Sequence, residues 1–470
     1  MTGTIIACAL CTCVAANGLW GTLPVDGAIT LIVFLIAVWI WIFVPVDDTY
    51  VALGAALTLV ILGPIESEVF TGTLGQDVVW LLVGSFVVAA AITSSGLSAR
   101  VATRVLSVAR TPRQLVHLVA IVLLITTFAI PATSGRAALA MPVFLSLAVA
   151  LRERPRLVLC LALVFPSVIL FSAIGSLLGA GAHLITSKIL YSSTGSGIDF
   201  LTWATWGLPL AVVWSHLCAE VALLLFTDRS ERRHGIVLDQ NDLHPDGDNW
   251  SGPLSPAQRR IAFLLAAMVL LWCSEPLHGV EPAIVAMLGA LVAVAPMIGT
   301  TTLGAAVKTI PWMLLLFMAS TLCLGVALTT SGAANWVADQ FFEPMKRLGN
   351  SAGWLFVVTV VIISLGAHLF VQSRSARSAV LIPVIVATAP VVGIDPAAAA
   401  FISTAAAGFC ITLTSSAKPV AMFAKTDSMP GYLQGHLLRL SAVLAPISIA
   451  LLLGFALWVW PLLGLSLYLS

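Results

Sequence analysis

Basic and hydroxyl side chains interrupt two long apolar stretches of this sequence, and they are the residues best suited to chemistry. The first interruption reads Pro131-Ala-Thr-Ser-Gly-Arg136, and the second reads Gln372-Ser-Arg-Ser-Ala-Arg377. Arginine presents a planar fork of N–H donors that matches the oxygens of a carboxylate or sulfate, and hydroxyl groups add further hydrogen bonds. The pattern therefore predicts a site for a small anion.

Two further apolar segments are broken by glycine, proline and hydroxyl residues. One break reads Ile174-Gly-Ser-Leu-Leu-Gly-Ala-Gly-Ala-His183, and the other reads Thr412-Leu-Thr-Ser-Ser-Ala-Lys-Pro419. Helix N-termini exposed at such breaks add positive potential to a shared cavity. The predicted substrate-binding residues are Arg136, Arg374, Arg377, Thr133, Ser134, Ser373, Ser375, Lys418, Ser415, Ser416 and His183.

Each of these assignments has a structural alternative. The basic residues could form internal ion pairs, for which Glu220 lies within an apolar span. Serine and threonine are common packing residues in membrane helices. His183 and His368 could accept protons, but a single membrane histidine is more often a hydrogen-bonded packing residue. Asp47 and Asp48 are expected to cap the helix that follows them.

The composition assigns these residues to a membrane protein. The chain has 470 residues, of which 60% are hydrophobic and 9% are charged, whereas a soluble domain carries roughly 25% charged residues. The natural solvent of so apolar a chain is the lipid bilayer. A charged side chain at membrane depth costs roughly 2.5–3.5 kcal/mol on insertion scales, so it needs a partner. The formal net charge of +1 marks no nucleic-acid partner.

Apolar runs of about 20 residues predict membrane-spanning helices. We predict eleven of them, at residues 4–20, 28–44, 49–65, 76–96, 157–190, 201–226, 260–277, 281–299, 308–331, 396–425 and 436–462. The stretches 115–151 and 352–394 are too long for one helix and too short for two crossings with a loop. Because each is interrupted near its middle, we predict two re-entrant hairpins whose tips line a wet cavity. The expected fold is an all-α polytopic membrane protein.

The two halves of the sequence repeat each other. Thr93-Ser-Ser-Gly96 and Thr329-Thr-Ser-Gly332 each end a span, and each precedes one of the interrupted stretches. Because each repeat holds an odd number of spans, we expect inverted repeats with discontinuous helices and a site near the midplane between them. The predicted units are an N-terminal segment with a first span (1–27), a first repeat (28–226), a hydrophilic linker (227–259) and a second repeat (260–470).

Arginine-rich loops predict the orientation, because short cytoplasmic loops are enriched in lysine and arginine. Alternating the spans puts the loop arginines on one face and leaves the other face little more than Lys346 and Arg347. We therefore expect a multi-pass protein of the cell inner (plasma) membrane, with the N-terminus and the linker in the cytoplasm.

The interrupted stretches resemble those of the divalent anion:sodium symporters, which carry di- and tricarboxylates or sulfate. That family has Ser-Asn-Thr-Ala-Thr at each hairpin tip, followed by an apolar turn and a proline. Counted back from Pro142 and Pro383, the matching residues here are Ala132-Thr-Ser-Gly-Arg136 and Ser373-Arg-Ser-Ala-Arg377.

The resemblance extends over about residues 28–462. The family's Thr-Pro-Pro-Asn element falls on Ala180-Gly-Ala-His183 and on Ser416-Ala-Lys-Pro419, whereas Thr133 and Arg374 replace the asparagines of the family's sodium signatures. The resemblance implies a homodimeric secondary transporter that carries a small, multiply charged anion by alternating access.

The replaced asparagines make a strict sodium requirement unexpected. Two like unit charges about 4 Å apart repel by roughly 4 kcal/mol at an effective dielectric near 20, which disfavours sodium beside Arg374. The first tip is still expected to keep a weak sodium site near Thr133 and Ser134. The coupling ion is expected to be a proton or sodium, and no cofactor is expected.

Other functions are compatible with this scaffold. The alternatives are an oxyanion or arsenite-type efflux permease of the same superfamily and an anion channel. An enzyme is not expected, because the sequence holds no convincing Ser-Lys, Asp-Asp or His-Glu zinc constellation. It also lacks a Walker sequence for ATP-driven pumping.

Overall fold

The computed structural model of the chain describes residues 2–238, 252–342, 351–426 and 429–469. Residues 239–251 of the predicted linker lie outside these ranges, as do Lys346 and Arg347. Within the described ranges the chain folds into helices and contains no β-strand. The predicted all-α class is therefore confirmed.

Twelve helices precede the linker's undescribed part. They are α1 (Thr2–Trp20), α2 (Val25–Phe43), α3 (Asp48–Leu62), α4 (Ser67–Leu74), α5 (Asp77–Ser94), α6 (Leu97–Leu106), α7 (Pro112–Ala129), α8 (Thr133–Ala150), α9 (Pro155–Ser172), α10 (Gly181–Thr194), α11 (Phe200–Phe226) and α12 (Arg229–Arg233). Short 3₁₀ turns at Ala173–Gly175 and Leu177–Gly179 separate α9 from α10. The break predicted inside residues 157–190 is therefore present.

The described residues from 252 onward form twelve more helices. They are α13 (Pro256–Cys273), α14 (Glu275–His278), α15 (Pro282–Ala293), α16 (Leu303–Lys308), α17 (Trp312–Thr330), α18 (Ala333–Phe342), α19 (Ser351–Gly366), α20 (Arg374–Thr388), α21 (Pro396–Ala406), α22 (Lys418–Met422), α23 (Gln434–Gly454) and α24 (Trp460–Leu462). 3₁₀ turns follow α19 at Ala367–Leu369 and α20 at Ala389–Val392, and a π-helical turn, Phe455–Val459, joins α23 to α24. The second predicted break is the non-helical segment between α21 and α22.

Local sequence signals explain where many helices begin. Five of them, α7, α9, α13, α15 and α21, start at a proline, which needs no backbone N–H partner in the first helical turn. Thr111 caps α7 by accepting a hydrogen bond from the Gln114 backbone N–H at 3.2 Å. Ser255 and Gln258 form a reciprocal capping box at α13. These caps satisfy N–H groups that a helix start leaves unpaired.

Eleven helical segments of the described chain are long and apolar enough to cross a membrane. Eleven spans were also predicted from the sequence, but the two sets do not consist of the same helices. The arms on either side of the two tips, which contain α7, α8, α19 and α20, belong to the eleven, whereas α1, α3, α15 and α21 are shorter apolar helices. Since α7 and α8 have 18 residues each, each is about 27 Å long, close to the bilayer's hydrocarbon thickness. The re-entrant hairpins and the inverted repeats stay predictions.

Contacts between distant helices join the two halves of the chain. α5 packs on α15, α3 packs on α17, and α10 packs on α20. Gly84 makes the first contact possible, because a Cβ there would lie 2.6 Å from the carbonyl carbon of Ala286. Thr186 and Thr404 share a buried hydrogen bond of 2.6 Å between α10 and α21. This packing brings both tips and both breaks into one region.

Candidate functional site

A cavity of about 350 Å³ lies where the two tips meet the two breaks. Residues before α8 and before α20 line it, together with Gly181 at the start of α10 and the segment that precedes α22. Seven of the predicted substrate-binding residues line this cavity: Thr133, Ser134, Ser373, Arg374, Ser375, Ser415 and Lys418.

The helices that begin at the cavity wall include α8, α10 and α20. The first residues of α8, α10 and α20 are Thr133, Gly181 and Arg374, and all three line the cavity. The unpaired N–H groups of a helix start carry a partial positive charge of roughly half an elementary charge. The backbone therefore makes this cavity attractive to anions before any side chain contributes.

The two tips end in different backbone caps. Ser373 caps α20, since its hydroxyl accepts a hydrogen bond from the Ala376 backbone N–H at 3.2 Å. Ala132 stands at the corresponding place before α8 and offers no side-chain cap. Its φ angle is 76°, a conformation that costs an L-residue with a Cβ atom on the order of 1–3 kcal/mol. The first tip is therefore strained and the second is not.

Arg374 is the side chain with the largest unmet hydrogen-bonding capacity at the cavity. Its Nε, Nη1 and Nη2 atoms are buried and have no hydrogen-bond partner among the residues that the structure describes. The guanidinium lies beside Gly408, where a Cβ atom would stand 3.1 Å from Nη2. Cys410, close to the same guanidinium, also lines the cavity. A buried cation with free donors is the arrangement expected of an anion-binding group.

Arg136 lies behind the cavity wall, so its predicted contact with substrate stays a prediction that the cavity lining does not support. It is 1% exposed and does not belong to the lining. Its Nε donates to Thr126 Oγ1 at 3.0 Å, Nη1 donates to the Ile169 carbonyl at 2.9 Å, and Nη2 donates to the Leu123 carbonyl and to Ser172 Oγ. Arg136 therefore ties the first tip to α7 and α9.

Arg377 makes corresponding contacts at the second tip and also does not line the cavity, so its predicted contact with substrate likewise stays a prediction. It is 1% exposed, and it donates to the carbonyls of Val371 at 3.1 Å and Ala407 at 3.0 Å. Val371 follows α19, and Ala407 follows α21. The guanidinium thus joins the tip to the end of the neighbouring broken segment.

His183 and Ser416 are also turned away from the cavity, because each is held within its own break. His183 Nδ1 lies 2.9 Å from the Ser176 carbonyl, and the ring stacks on Trp203 at 4.9 Å between centroids. Ser416 Oγ accepts a hydrogen bond from the Leu413 backbone N–H at 3.0 Å. Neither residue lines the cavity; both are bonded to the backbone of their own break.

The alternative of an ion pair with Glu220 is not realised for the tip arginines. Glu220 pairs with Arg113 at 3.0 Å and with His117 at 3.1 Å. Among the residues that the structure describes, neither Arg136 nor Arg374 nor Arg377 forms an ion pair with a carboxylate. Within the described part of the chain, no carboxylate lies at ion-pair distance from these three arginines.

Two aspartates that the sequence pattern did not assign to the site line the cavity. Asp47 caps α3 as expected, accepting a hydrogen bond from the Thr49 backbone N–H at 2.8 Å. Asp48 lines the same cavity as Ser373 and Lys418 and interacts electrostatically with both side chains. The signal that points to them is the rarity of two adjacent acids in a sequence with 9% charged residues.

Comparison with known proteins agrees with this architecture. Residues 2–466 match the family described as the sodium:sulfate symporter transmembrane region. A "membrane protein" of Cupriavidus necator is 24% identical over 313 residues, which are 65% of this chain and 60% of that protein. The chain thus matches about three fifths of the length of this relative.

Two solved structures have a similar fold. The YdaH transporter of Alcanivorax borkumensis has a TM-score of 0.56 at 14% identity, covering 93% of this chain and 100% of that one. MtrF of Neisseria gonorrhoeae, from a class of antimetabolite efflux pumps, has a TM-score of 0.62 at 15% identity, covering 98% and 99%.

Because the family match covers nearly the whole sequence, the chain belongs to the sodium:sulfate symporter transmembrane region family. The resemblance to the divalent anion:sodium symporters is thereby confirmed. This is a multi-pass membrane transport protein and not an enzyme.

Proposed function

We propose that this protein is a secondary active transporter that carries a small, multiply charged anion across the cell inner (plasma) membrane by alternating access. The expected substrates are dicarboxylates, tricarboxylates or sulfate, and the expected assembly is a homodimer with a cytoplasmic N-terminus. The observation that carries the proposal is Arg374, whose buried guanidinium lies at the cavity and has no hydrogen-bond partner within the described part of the chain.

The energetics of Arg374 favour a bound anion. A buried donor without a partner costs about 1–3 kcal/mol, and more when it is charged. A carboxylate or sulfate in the cavity would remove that cost and would accept two parallel hydrogen bonds from the guanidinium. The volume of about 350 Å³ lies within the range that holds small ligands.

Lys418 and the tip hydroxyls suit the second end of such an anion. Lys418 is exposed at the cavity, and Ser134, Ser375 and Ser415 line the same space. An ammonium and several hydroxyls bind oxygens of varied position, whereas Arg374 demands a flat pair of oxygens. A ligand with at least two anionic ends uses both kinds of group.

Uptake into proteoliposomes tests this function. The substrates are di- and tricarboxylates, sulfate and arsenite, with sodium and pH gradients varied separately. We expect saturable uptake of at least one multiply charged anion and exchange against unlabelled substrate inside the vesicles. Flux that neither saturates nor exchanges would identify a channel, and transport of arsenite alone would identify the efflux permease.

The coupling ion is tested by Arg374→Asn, the substitution that restores a family-type residue. We propose that wild-type transport runs without a strict sodium requirement, because a fixed cation at this position repels sodium. The variant also loses the anion-binding guanidinium, so its uptake is measured at raised substrate concentration, and the remaining transport is expected to gain sodium stimulation. Steep, saturable sodium dependence of the wild-type protein, with no activity in potassium or choline buffer, would contradict the proposal.

A further inference from the structure

Asp48 is held in a fixed position at the edge of the cavity. Its carbonyl accepts a hydrogen bond from Trp41 Nε1 at 3.2 Å, and Trp41 is buried. The next residue, Thr49, donates through its hydroxyl to the Met313 carbonyl at 3.1 Å, which ties the start of α3 to the start of α17. These two hydrogen bonds hold the backbone at Asp48 against α2 and α17.

The Asp48 carboxylate faces groups that an anionic substrate would use. Asp48 and Ser373 line the same cavity and interact electrostatically, and the Ser373 hydroxyl accepts from the Ala376 backbone N–H, so Asp48 shares the cavity with the positive start of α20. Lys418 acts on it electrostatically from the other break. Capping of α3 does not require this carboxylate, since Asp47 already accepts the Thr49 N–H.

We propose that Asp48 is the charge-selecting residue of this site, an internal counter-ion that competes with the substrate for Ser373, Lys418 and the start of α20. The inference depends on the proposed anion site. One fixed negative charge beside the ligand repels the ligand in proportion to the charge that the ligand carries. Asp48 therefore limits how many negative charges the transported anion has.

Three carboxylates of similar carbon skeleton test the proportionality. Butyrate, glutarate and propane-1,2,3-tricarboxylate carry one, two and three negative charges at pH 8. Dissociation constants for the full-length purified protein are measured by calorimetry, for the wild type and for Asp48→Asn. We expect the variant to bind more tightly by about threefold per unit of ligand charge, hence about 3-, 10- and 30-fold across the series.

Control variants distinguish the effect of the Asp48 charge on binding from the effect of changing a side chain. Asp47→Asn keeps an oxygen for the helix cap and removes a carboxylate already engaged by a backbone N–H, so we expect a smaller graded change. Asp26→Asn removes an exposed acid in the first turn of α2, away from the cavity, and should leave all three constants unchanged. Asp48→Ser is the second neutral variant if Asp48→Asn fails to fold.

The outcomes are distinct. A graded tightening supports the role of Asp48. An equal change for all three carboxylates, or no change, overturns it while leaving the anion site in place. If the wild-type protein binds neither the three carboxylates nor sulfate, and Arg374→Gln binds them no differently, the anion site itself is refuted and the role of Asp48 with it.

Discussion

The tip that precedes α8 and the tip that precedes α20 carry an arginine at the same place, six residues before a proline inside the following helix. Arg136 and Arg377 both point away from the cavity and donate to main-chain carbonyls. Ile169 and Ala407, which supply one carbonyl each, belong to the two segments that break. The shared arginine is thus a structural tie that holds each tip against a broken segment.

The tips differ three residues earlier, where Thr133 stands opposite Arg374. Thr133 offers one hydroxyl at the cavity, whereas Arg374 brings a guanidinium that no described residue hydrogen-bonds. The positions that the tips share therefore build the cavity, and the position at which they differ supplies its charge. A charged residue that recurs in both halves is the poorer candidate for substrate contact.

The largest expected effect separates Arg374 from Arg136. Arg374→Met should lower substrate affinity at least about 100-fold, because a bidentate charged contact is worth roughly 3 kcal/mol, and it should leave the unfolding free energy unchanged or higher. Arg136→Met should lower the unfolding free energy by about 3 kcal/mol, since two buried carbonyls lose their donor. Calorimetric binding and denaturant unfolding measure the two quantities. Equal loss of stability in both variants would contradict the division of roles.

A smaller effect is expected from crowding the second tip. Gly408→Ala places a Cβ 3.1 Å from Arg374 Nη2 and 2.9 Å from the Ala405 carbonyl. The guanidinium must shift, so we expect substrate affinity to fall about three- to tenfold. Gly54→Ala is the control, because a Cβ there meets nothing within 4 Å. If Gly408→Ala binds substrate as the wild type does, the position of Arg374 beside Gly408 does not matter for binding.

The smallest effect concerns the two caps. Ala132→Gly should raise the unfolding free energy by about 1 kcal/mol, because glycine adopts a φ of 76° without a Cβ clash. Ser373→Ala should lower it by about 1 kcal/mol, because α20 loses its cap. Thermal unfolding of the purified protein compares the two. Changes of the same sign would show that the tips are not strained in the way their backbones indicate.

Much of the architecture could be predicted from the sequence. The lengths of the apolar runs predicted the helices, and proline, glycine and hydroxyl residues predicted both breaks. Both kinds of signal act within a few residues of the backbone that they shape. The prediction that the two tips and the two breaks lie close together followed from the order of the elements, which repeats in the two halves of the sequence. Local signals did not reveal that α7 and α8 are each long enough to cross a membrane.

The direction of a side chain could not be predicted in the same way. Whether Arg136 faces the cavity depends on free acceptors such as the Ile169 carbonyl, which belong to other helices. Asp48 was missed because a helix cap already explained it, although its carboxylate meets Ser373 from a distant part of the chain. Contacts of this kind depend on tertiary packing and leave no periodic pattern.

The helix starts at the cavity have a consequence for how the protein tolerates change. The amides at the starts of α8, α10 and α20 belong to the main chain, so no amino-acid exchange that keeps these helices can delete their polarity. In the proposed anion transporter, exchanges at Thr133, Ser375 or Lys418 would alter which anion fits, whereas the positive potential of the helix starts would remain. Under this proposal, substrate specificity can change by mutation while the preference for anions is retained.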